Sequence, residues 1–268
     1  MKTLLCEGIG ITPLARALGV SKSTVLRKLK FLGELSETTF LVTLSKGKED
    51  TTFVQFDEME TSLRTQCLPI TIAFAVRPKN GHIVAFRIGE VPCKGGLGRL
   101  SKRKYGTRPN QQEEVIKDLL RDLKYVVKDP DNFTIHTDRN ALYMKWVRQA
   151  LPFAKYRSFS GKAMKQLDRA MARVDERGEL VDYSTLPEAQ LYWIKKQKNG
   201  KVIARSYDPI FRVNQKCAVL RSRLSRLRKH TWGFTQKLRN LEYHLAIFAV
   251  HHNGYKLPKR RSVRRLNF

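Results

Sequence analysis

The chain has 268 residues, and its 41% hydrophobic content is ordinary for a folded protein. It carries 52 Lys and Arg residues against 24 Asp and Glu residues, and the resulting net charge of +28 attracts a polyanion. The sequence contains no run of about 18 apolar residues and no signal peptide, which argues against a membrane-spanning class. We therefore expect a cytoplasmic, nucleoid-associated protein whose partner is double-stranded DNA.

Helical segments near the N-terminus resemble a helix-turn-helix. The pattern ARALGVSKSTVLRKL places Ala15 at the helix crossing and Gly19 in the turn, and it directs Val20, Val25 and Leu29 toward the interior. A helical hairpin with a basic outer face is the alternative interpretation. If the segment binds DNA, the start of its recognition helix presents Lys22, Ser23, Thr24 and Arg27 to bases and phosphates.

The pattern changes from helical to alternating after residue 51. Three runs rich in β-branched and aromatic residues follow, and Asn80-Gly81 between the last two is a strong hairpin signal. The segment KGGLGRLSKRKYGTRPN is then predicted as a loop with six cations and no acid, and its Lys102, Arg103 and Lys104 are candidate DNA contacts. An amphipathic helix, a strand (FTIHTD), a second helix and a strand (FAKYRSFS) complete an α/β unit.

These elements predict a mixed five-stranded sheet with flanking helices, in the order expected of a ribonuclease H-like fold. Within a later insertion, LPEAQLYWIKKQ is predicted as a short helix and KNGKVIARSY as a hairpin. The predicted organisation is a helix-turn-helix domain at 1–35, a linker at 36–51, a catalytic domain at 52–257 with the insertion at about 161–207, and a basic tail at 258–268.

Two carboxylates occupy the predicted central strands. Asp57 shares a face of the first strand with Gln55 and Met59, and Asp138 ends the fourth strand. The first and fourth strands are neighbours in the inferred topology, so the two side chains should meet. Such a pair stays ionised when a divalent cation shares it, and two Mg²⁺ ions about 4 Å apart form a clamp for phosphoryl transfer. Asp138 could instead be the N-cap of the helix that follows it.

The motifs GVSKSTV, VQFDEME, IHTDRNALY and LSRLRKHTWGFTQK together resemble the DDE transposases of bacterial insertion sequences, in particular the insertion sequence one family and its archaeal and cyanobacterial relatives. The likeness covers most of residues 3–257 outside the insertion. It implies that Asp57 and Asp138 bind two catalytic Mg²⁺ ions, for which Mn²⁺ can substitute. It also implies cleavage at the element ends, attack of the freed 3′-hydroxyl on target DNA, and a homodimer or larger assembly. Glu58, next to Asp57, would face away.

Two departures from the family pattern concern metal ligands. The family usually begins with a zinc ribbon of paired cysteines, whereas this sequence opens at MKTLLCEG and has no C-x-x-C pair, as in a lost or shortened module. Phe211 stands where the family keeps its third acid, and Phe cannot bind a metal. Asp208, Asn214 and Glu242 are the alternative third ligands.

A cluster of cations near the C-terminal helices completes the candidate DNA surface. A helical track would present Arg221, Arg223, Arg226, Arg228 and Lys229 to phosphates. The hypothesis at this stage is a DNA transposase. A non-catalytic DNA-binding regulator or domesticated relative, and a Mg²⁺-dependent nuclease or resolvase on the same fold, are the alternatives.

Overall fold

The structure is a computed structural model. It describes residues 1–46, 51–138, 140–159, 191–195, 202–207, 209–227 and 235–258. Short 3₁₀ turns lie at Pro130–Asn132 and Ser225–Leu227. The strands are β1 (Phe53–Ser62), β2 (Pro69–Arg77), β3 (His82–Glu90), β4 (Thr134–Asp138), β5 (Lys155–Phe159), β6 (Leu191–Lys195) and β7 (Val202–Tyr207). The helices are α1 (Lys2–Leu5), α2 (Ile11–Ala17), α3 (Lys22–Lys46), α4 (Leu97–Tyr105), α5 (Gln112–Lys124), α6 (Tyr143–Ala150), α7 (Phe211–Arg223) and α8 (Leu238–His252).

A five-stranded mixed sheet in the order β3-β2-β1-β4-β5 forms the centre of the α/β fold. The first three strands are antiparallel, and β4 and β5 run parallel to β1. The β2–β3 turn is the predicted hairpin: Gly81 has φ 69°, and the side-chain oxygen of Asn80 accepts the His82 N–H at 3.1 Å. The prediction of a mixed sheet with β1 beside β4 is therefore confirmed.

A separate hydrophobic core covers each face of the sheet. Val54 and Phe56 of β1 point into a core shared with α5 and α6. Met59 and the alternate residues of β2 point into the other core, which α1, α2, α3, α7 and α8 complete. Because side chains alternate across a strand, the odd-numbered and even-numbered positions of β1 face different layers. The N-terminal helices thus share a core with the sheet.

Helix α3 is longer than the sequence pattern predicted. It continues to Lys46, so the linker predicted at 36–51 is wrong for its first eleven residues. A buried stripe explains the extension: Gly33 lies against Tyr243 of α8, and the stripe continues along α3 to the buried Phe40. Exposed apolar residues such as Phe31 and Leu41 and the buried Ser36 obscure this stripe in a simple count of apolar residues.

Two further segments differ from the sequence predictions. The cationic segment after β3, predicted as a loop, contains α4, whose end is set by Gly106 with φ 76°. Its flanking glycines and dense charge obscured the helix. Within the insertion, residues 191–195 form the strand β6 and not the predicted short helix. They pair antiparallel with β7. In the described ranges no helix is long and apolar enough to cross a bilayer.

Candidate active site and DNA-binding surfaces

Asp57 and Asp138 lie on neighbouring parallel strands at the same level of the sheet. The β1–β4 ladder ends with Gln55 opposite His136, and each aspartate lies two residues further along its strand. A spacing of two returns a side chain to the same face, so both carboxylates project from the face that carries Gln55. The structure brings the two predicted acids together.

The carboxyl group of Asp57 is in an environment that disfavours its charge. Burial is the largest cause and the charge of Asp138 the next, and together they raise the pKa of Asp57 to about 7. The Glu58 N–H, which donates to Asp57 Oδ1 at 2.8 Å, and the nearby Arg221 act in the opposite direction. Asp57 is therefore held beside a like charge with only partial compensation.

The carboxyl group of Asp138 is also poorly compensated. Burial raises its pKa, although the backbone N–H of Asn140 donates a hydrogen bond to it. Its Oδ1 atom is buried and has no hydrogen-bond partner among the described residues. Two desolvated carboxylates, one with an unused acceptor atom, fit the oxygen donor set that a divalent cation requires.

The N-cap alternative for Asp138 is wrong. Helix α6 begins at Tyr143, five residues later, and its N-cap residue among those described is Leu142, which makes no side-chain cap hydrogen bond. Asn140 organises the connection instead, since its side-chain oxygen accepts the Leu142 N–H at 3.1 Å and its carbonyl oxygen accepts the Tyr143 N–H at 3.2 Å. The carboxylate of Asp138 therefore remains directed to the site beside Asp57.

Glu242, one of the candidate third ligands, lies elsewhere. Its Oε2 accepts a hydrogen bond from Arg239 at 2.9 Å, and it lines a cleft of about 510 Å³ along β3 with Phe86. Strand β3 is an edge strand, and β2 separates it from β1. The structure does not bring Glu242 to Asp57 and Asp138, because its partner is the arginine one turn earlier on its own helix.

Asn214 lies on α7, whose first turn is hydrogen-bonded to Gln55 of β1. It is exposed and precedes Arg221 by seven residues, so the two share one face of the helix. The charge of Arg221 acts on Asp57 and partly offsets the rise of its pKa. Phe211 is the first residue of the helix, and Asp208 lies outside the described residues. Within the ranges the structure describes, no three His, Cys, Asp or Glu side chains form a metal cluster.

The predicted arginine track on α7 is wrong as a continuous surface. The helix ends at Arg223, whose guanidinium pairs with Glu7 of the N-terminal region. Arg226 follows in a 3₁₀ turn and is buried, because Leu224 and Leu227 on either side of it enter the core. Burial lowers the pKa of Arg226. The remaining predicted members, Arg228 and Lys229, lie outside the described residues.

Glu58 and Tyr143 form a contact that the sequence patterns did not predict. The Tyr143 hydroxyl donates to Glu58 Oε2 at 2.6 Å, and Gln112 and Thr71 donate to the same carboxylate. Glu58 faces away from Asp57, as expected from strand alternation. The sequence held a signal for this contact, since Glu58 lies in the motif VQFDEME with Asp57 and Tyr143 lies in the motif IHTDRNALY with Asp138.

The N-terminal helices have the geometry of a helix-turn-helix. Gly19 takes φ 62° in the turn, and Ser21 caps α3 by accepting the Thr24 N–H at 3.1 Å. Val25 and Leu29 are buried as predicted, but Val20 is not, since it lies in the turn with 39% of its surface exposed.

The predicted DNA-contacting residues at the start of α3 are open to solvent. Lys22, Ser23 and Arg27 are exposed, and Thr24 is partly buried by its contacts with Ser21. A second exposed cationic surface lies on the last turn of α4, where Ser101 attaches the helix to the Cys67 carbonyl at 2.6 Å. Its exposed cations are Lys102, Arg103 and Lys104.

Residues 1–30 match the family model for the helix-turn-helix domain of resolvase. This match agrees with the turn, cap and buried positions of α1 to α3. A resolvase-type helix-turn-helix indicates DNA binding related to recombination, and it covers about a ninth of the chain. A comparison with curated proteins finds no match to this sequence.

Proposed function

We propose that the chain is a DDE-type DNA transposase with a ribonuclease H-like catalytic domain, which cleaves DNA at the ends of an insertion sequence and joins those ends to target DNA. The placement of Asp57 beside Asp138 on the central parallel strands carries the proposal. The strand order β3-β2-β1-β4-β5 supports it, because a meander followed by two parallel crossovers is the order expected of that fold. The net charge of +28 and the resolvase-type helix-turn-helix support DNA as the substrate.

In the proposed site, Asp57 and Asp138 hold Mg²⁺. Bound Mg²⁺ would activate the attacking oxygen and offset the charge that develops on the transferred phosphoryl group. The protein contributes two partly desolvated carboxylates, which lose less hydration on binding a cation than exposed ones would. Arg221, close enough to affect the charge of Asp57, is placed to attract the DNA backbone to the same site.

Asn214 is the proposed third ligand of this site. A carboxamide oxygen is a hard donor that suits Mg²⁺, although it adds no negative charge. Its position on the face of α7 that carries Arg221 supports this choice over Glu242. A site with two carboxylates and one amide would bind Mg²⁺ more weakly than a three-carboxylate site, so activity should require a high Mg²⁺ concentration.

A strand-transfer assay tests the proposal. The substrate is DNA from the genomic flanks of the gene, which should contain short inverted repeats, and the reaction contains Mg²⁺ or Mn²⁺. We expect joined products from the wild-type protein and none from Asp57→Asn or Asp138→Asn. Asp118→Asn, which changes a partly buried carboxylate of α5 that pairs with Arg121, is the matched control and should join DNA normally. Joining that persists in both active-site variants would contradict the metal-site assignment.

Two other functions have specific support. The match to a helix-turn-helix of resolvase supports recombination-related DNA binding, and one alternative is a Mg²⁺-dependent nuclease or resolvase, which would nick DNA without joining it. Phe211 at the expected acid position favours a regulator that binds DNA without cutting. The same assay separates them, because nicks alone indicate the nuclease and retained binding without any cleavage indicates the regulator.

A further inference from the structure

We infer that Glu58 and Tyr143 are positioning residues, whose hydrogen bond on the reverse face of β1 fixes Asp138 relative to Asp57. This inference rests on the proposed function, since it concerns how the acid pair is held for a divalent cation. Neither residue would touch the cation or the DNA. Their contribution is to the distance and orientation of the two carboxylates.

The carboxylate of Glu58 is fully engaged on its own side of the sheet. Tyr143 donates to Oε2 at 2.6 Å and Gln112 donates to the same oxygen at 2.7 Å, while Thr71 donates to Oε1 at 2.9 Å. Three donors from β2, α5 and α6 therefore converge on one side chain of β1. A carboxylate satisfied in this way is a structural acceptor, which explains why an acid follows Asp57 directly without serving as a ligand.

Tyr143 anchors the start of α6 in the core. It is 2% exposed, and its ring packs against Phe56 with ring centres 4.9 Å apart and against Trp146 at 6.2 Å. The chain runs from Asp138 to Tyr143 in five steps. Fixing Tyr143 to Glu58 therefore fixes the far end of the connection that begins at Asp138.

Hydrogen bonds connect the two aspartates through this pair. Asp138 accepts the Asn140 N–H, and the Asn140 carbonyl accepts the Tyr143 N–H at 3.2 Å. The Tyr143 hydroxyl then donates to Glu58, whose own N–H donates to Asp57 Oδ1 at 2.8 Å. These hydrogen bonds join neighbouring groups, so together they link the two aspartates around the end of the β1–β4 ladder.

The two carboxylates repel each other, so their separation must be maintained by contacts of the strands that carry them. Beyond the pair Gln55 and His136 the described ladder has no further β1–β4 pairing. On its other side Asp138 pairs with Phe159 of β5, so β5 and the connection to α6 together resist displacement of Asp138 by the charge of Asp57. Outer contacts of this kind orient metal ligands, and their loss commonly weakens metal affinity by about 10-fold to 100-fold.

Mn²⁺ binding, measured by electron paramagnetic resonance on the full chain, tests the inference. Tyr143→Phe keeps the buried ring and removes the hydroxyl, and Glu58→Gln keeps the side-chain size and removes the charge. Tyr243→Phe is the matched control, because Tyr243 donates to the Glu34 carboxylate at 3.2 Å in the other core, away from β4. We expect the first two variants to bind Mn²⁺ at least about tenfold more weakly than wild type, and the control to bind normally.

A second measurement separates positioning from general stability. Unfolding by urea in EDTA measures how far each variant lowers the free energy of unfolding. The Mg²⁺ concentration for half-maximal cleavage measures metal binding at the acid pair. Positioning predicts that this Mg²⁺ concentration rises in Tyr143→Phe while the affinity for DNA is unchanged. Wild-type Mn²⁺ affinity in both folded variants would overturn the inference and leave the proposed function standing. Absence of Mn²⁺ binding in the wild type would overturn both.

Discussion

The buried side chain of Gln55 joins β1 to the first turn of α7, since its Oε1 accepts the backbone N–H of Val213 at 3.1 Å. Its Nε2 also donates to the Pro209 carbonyl at 2.7 Å. The first N–H groups of a helix have no partner within the helix, so Gln55 satisfies a group that burial would otherwise penalise. It does so two residues before Asp57, and thereby joins the start of α7 to the strand that carries this acid.

Replacement of Gln55 by Leu should therefore destabilise the protein. The change leaves the buried Val213 N–H without its partner and removes a donor from the Pro209 carbonyl, at a cost of about 1–3 kcal/mol in the free energy of unfolding. Urea unfolding followed by circular dichroism measures this value. Gln149→Leu, an exposed position of α6, is the control and should change stability by less than about 0.5 kcal/mol. Equal stability of the two variants would show that the Gln55 contacts contribute little.

The close approach of α3 to α8 depends on Gly33. A Cβ atom at this position would lie 2.4 Å from the Tyr243 ring, a distance that forces one helix to move. We expect Gly33→Ala to lower the free energy of unfolding by about 1–3 kcal/mol, as overpacking does. Gly96→Ala is the control, because a Cβ atom there meets nothing within 4 Å. A stable Gly33→Ala protein would contradict the packing described for α3.

The His244 side chain should lower the free energy of unfolding in mild acid. This side chain is buried and its Nε2 contacts the Leu5 carbonyl at 2.8 Å, and burial lowers its pKa from 6.5 to about 4. The unfolded chain binds a proton near pH 6.5 and the folded chain does so only near pH 4, so stability decreases as the pH falls through this window. Between pH 7 and pH 5 the loss attributable to His244 should be about 2 kcal/mol.

A non-titrating variant tests this assignment. His244→Gln keeps a donor for Leu5 and should lose less stability than the wild type between pH 7 and pH 5, by urea unfolding at both values. His251→Gln, whose side chain is partly exposed on the same helix, should keep nearly the full wild-type pH dependence. The same pH dependence in wild type and His244→Gln would assign the acid sensitivity to other groups.

The helix-turn-helix surface should supply salt-dependent affinity for DNA. Lys22 and Arg27 are exposed at the start of α3, and each phosphate contact contributes about 0.9 to the slope of log affinity against log salt concentration. We expect Lys22→Ala and Arg27→Ala each to weaken DNA binding and to reduce this slope by about one. Lys128→Ala, an exposed change near β4, is the control. Fluorescence anisotropy at several salt concentrations measures the affinity and the slope. Equal affinities and slopes in all three variants would contradict the assignment.

The sheet and its central acid pair could be predicted from the sequence because their signals are local. Alternation places Asp57 on one face of β1, Asn80-Gly81 fixes a hairpin, and the crossover to β4 brings Asp138 alongside. Each inference needs only the few residues around it and the preference of parallel strands for helical crossovers.

The features that were missed depend on contacts between distant segments. The extension of α3 rests on α8, where Tyr243 meets Gly33 across more than 200 residues of sequence. Arg226 is buried because its leucine neighbours enter the core, whereas composition alone suggested an exposed cation. Glu242 is a lone acid in a basic stretch, and only the position of Arg239 shows why it is there.

The central claim is that Asp57 and Asp138 share a divalent cation. Mn²⁺ binding to the wild-type protein, Asp57→Asn and Asp138→Asn, measured side by side by electron paramagnetic resonance at pH 8, tests it most directly. We predict saturable binding to the wild type that both variants lose, with their fold and DNA affinity retained. Binding of equal strength in all three proteins, or no binding to the wild type, would contradict it.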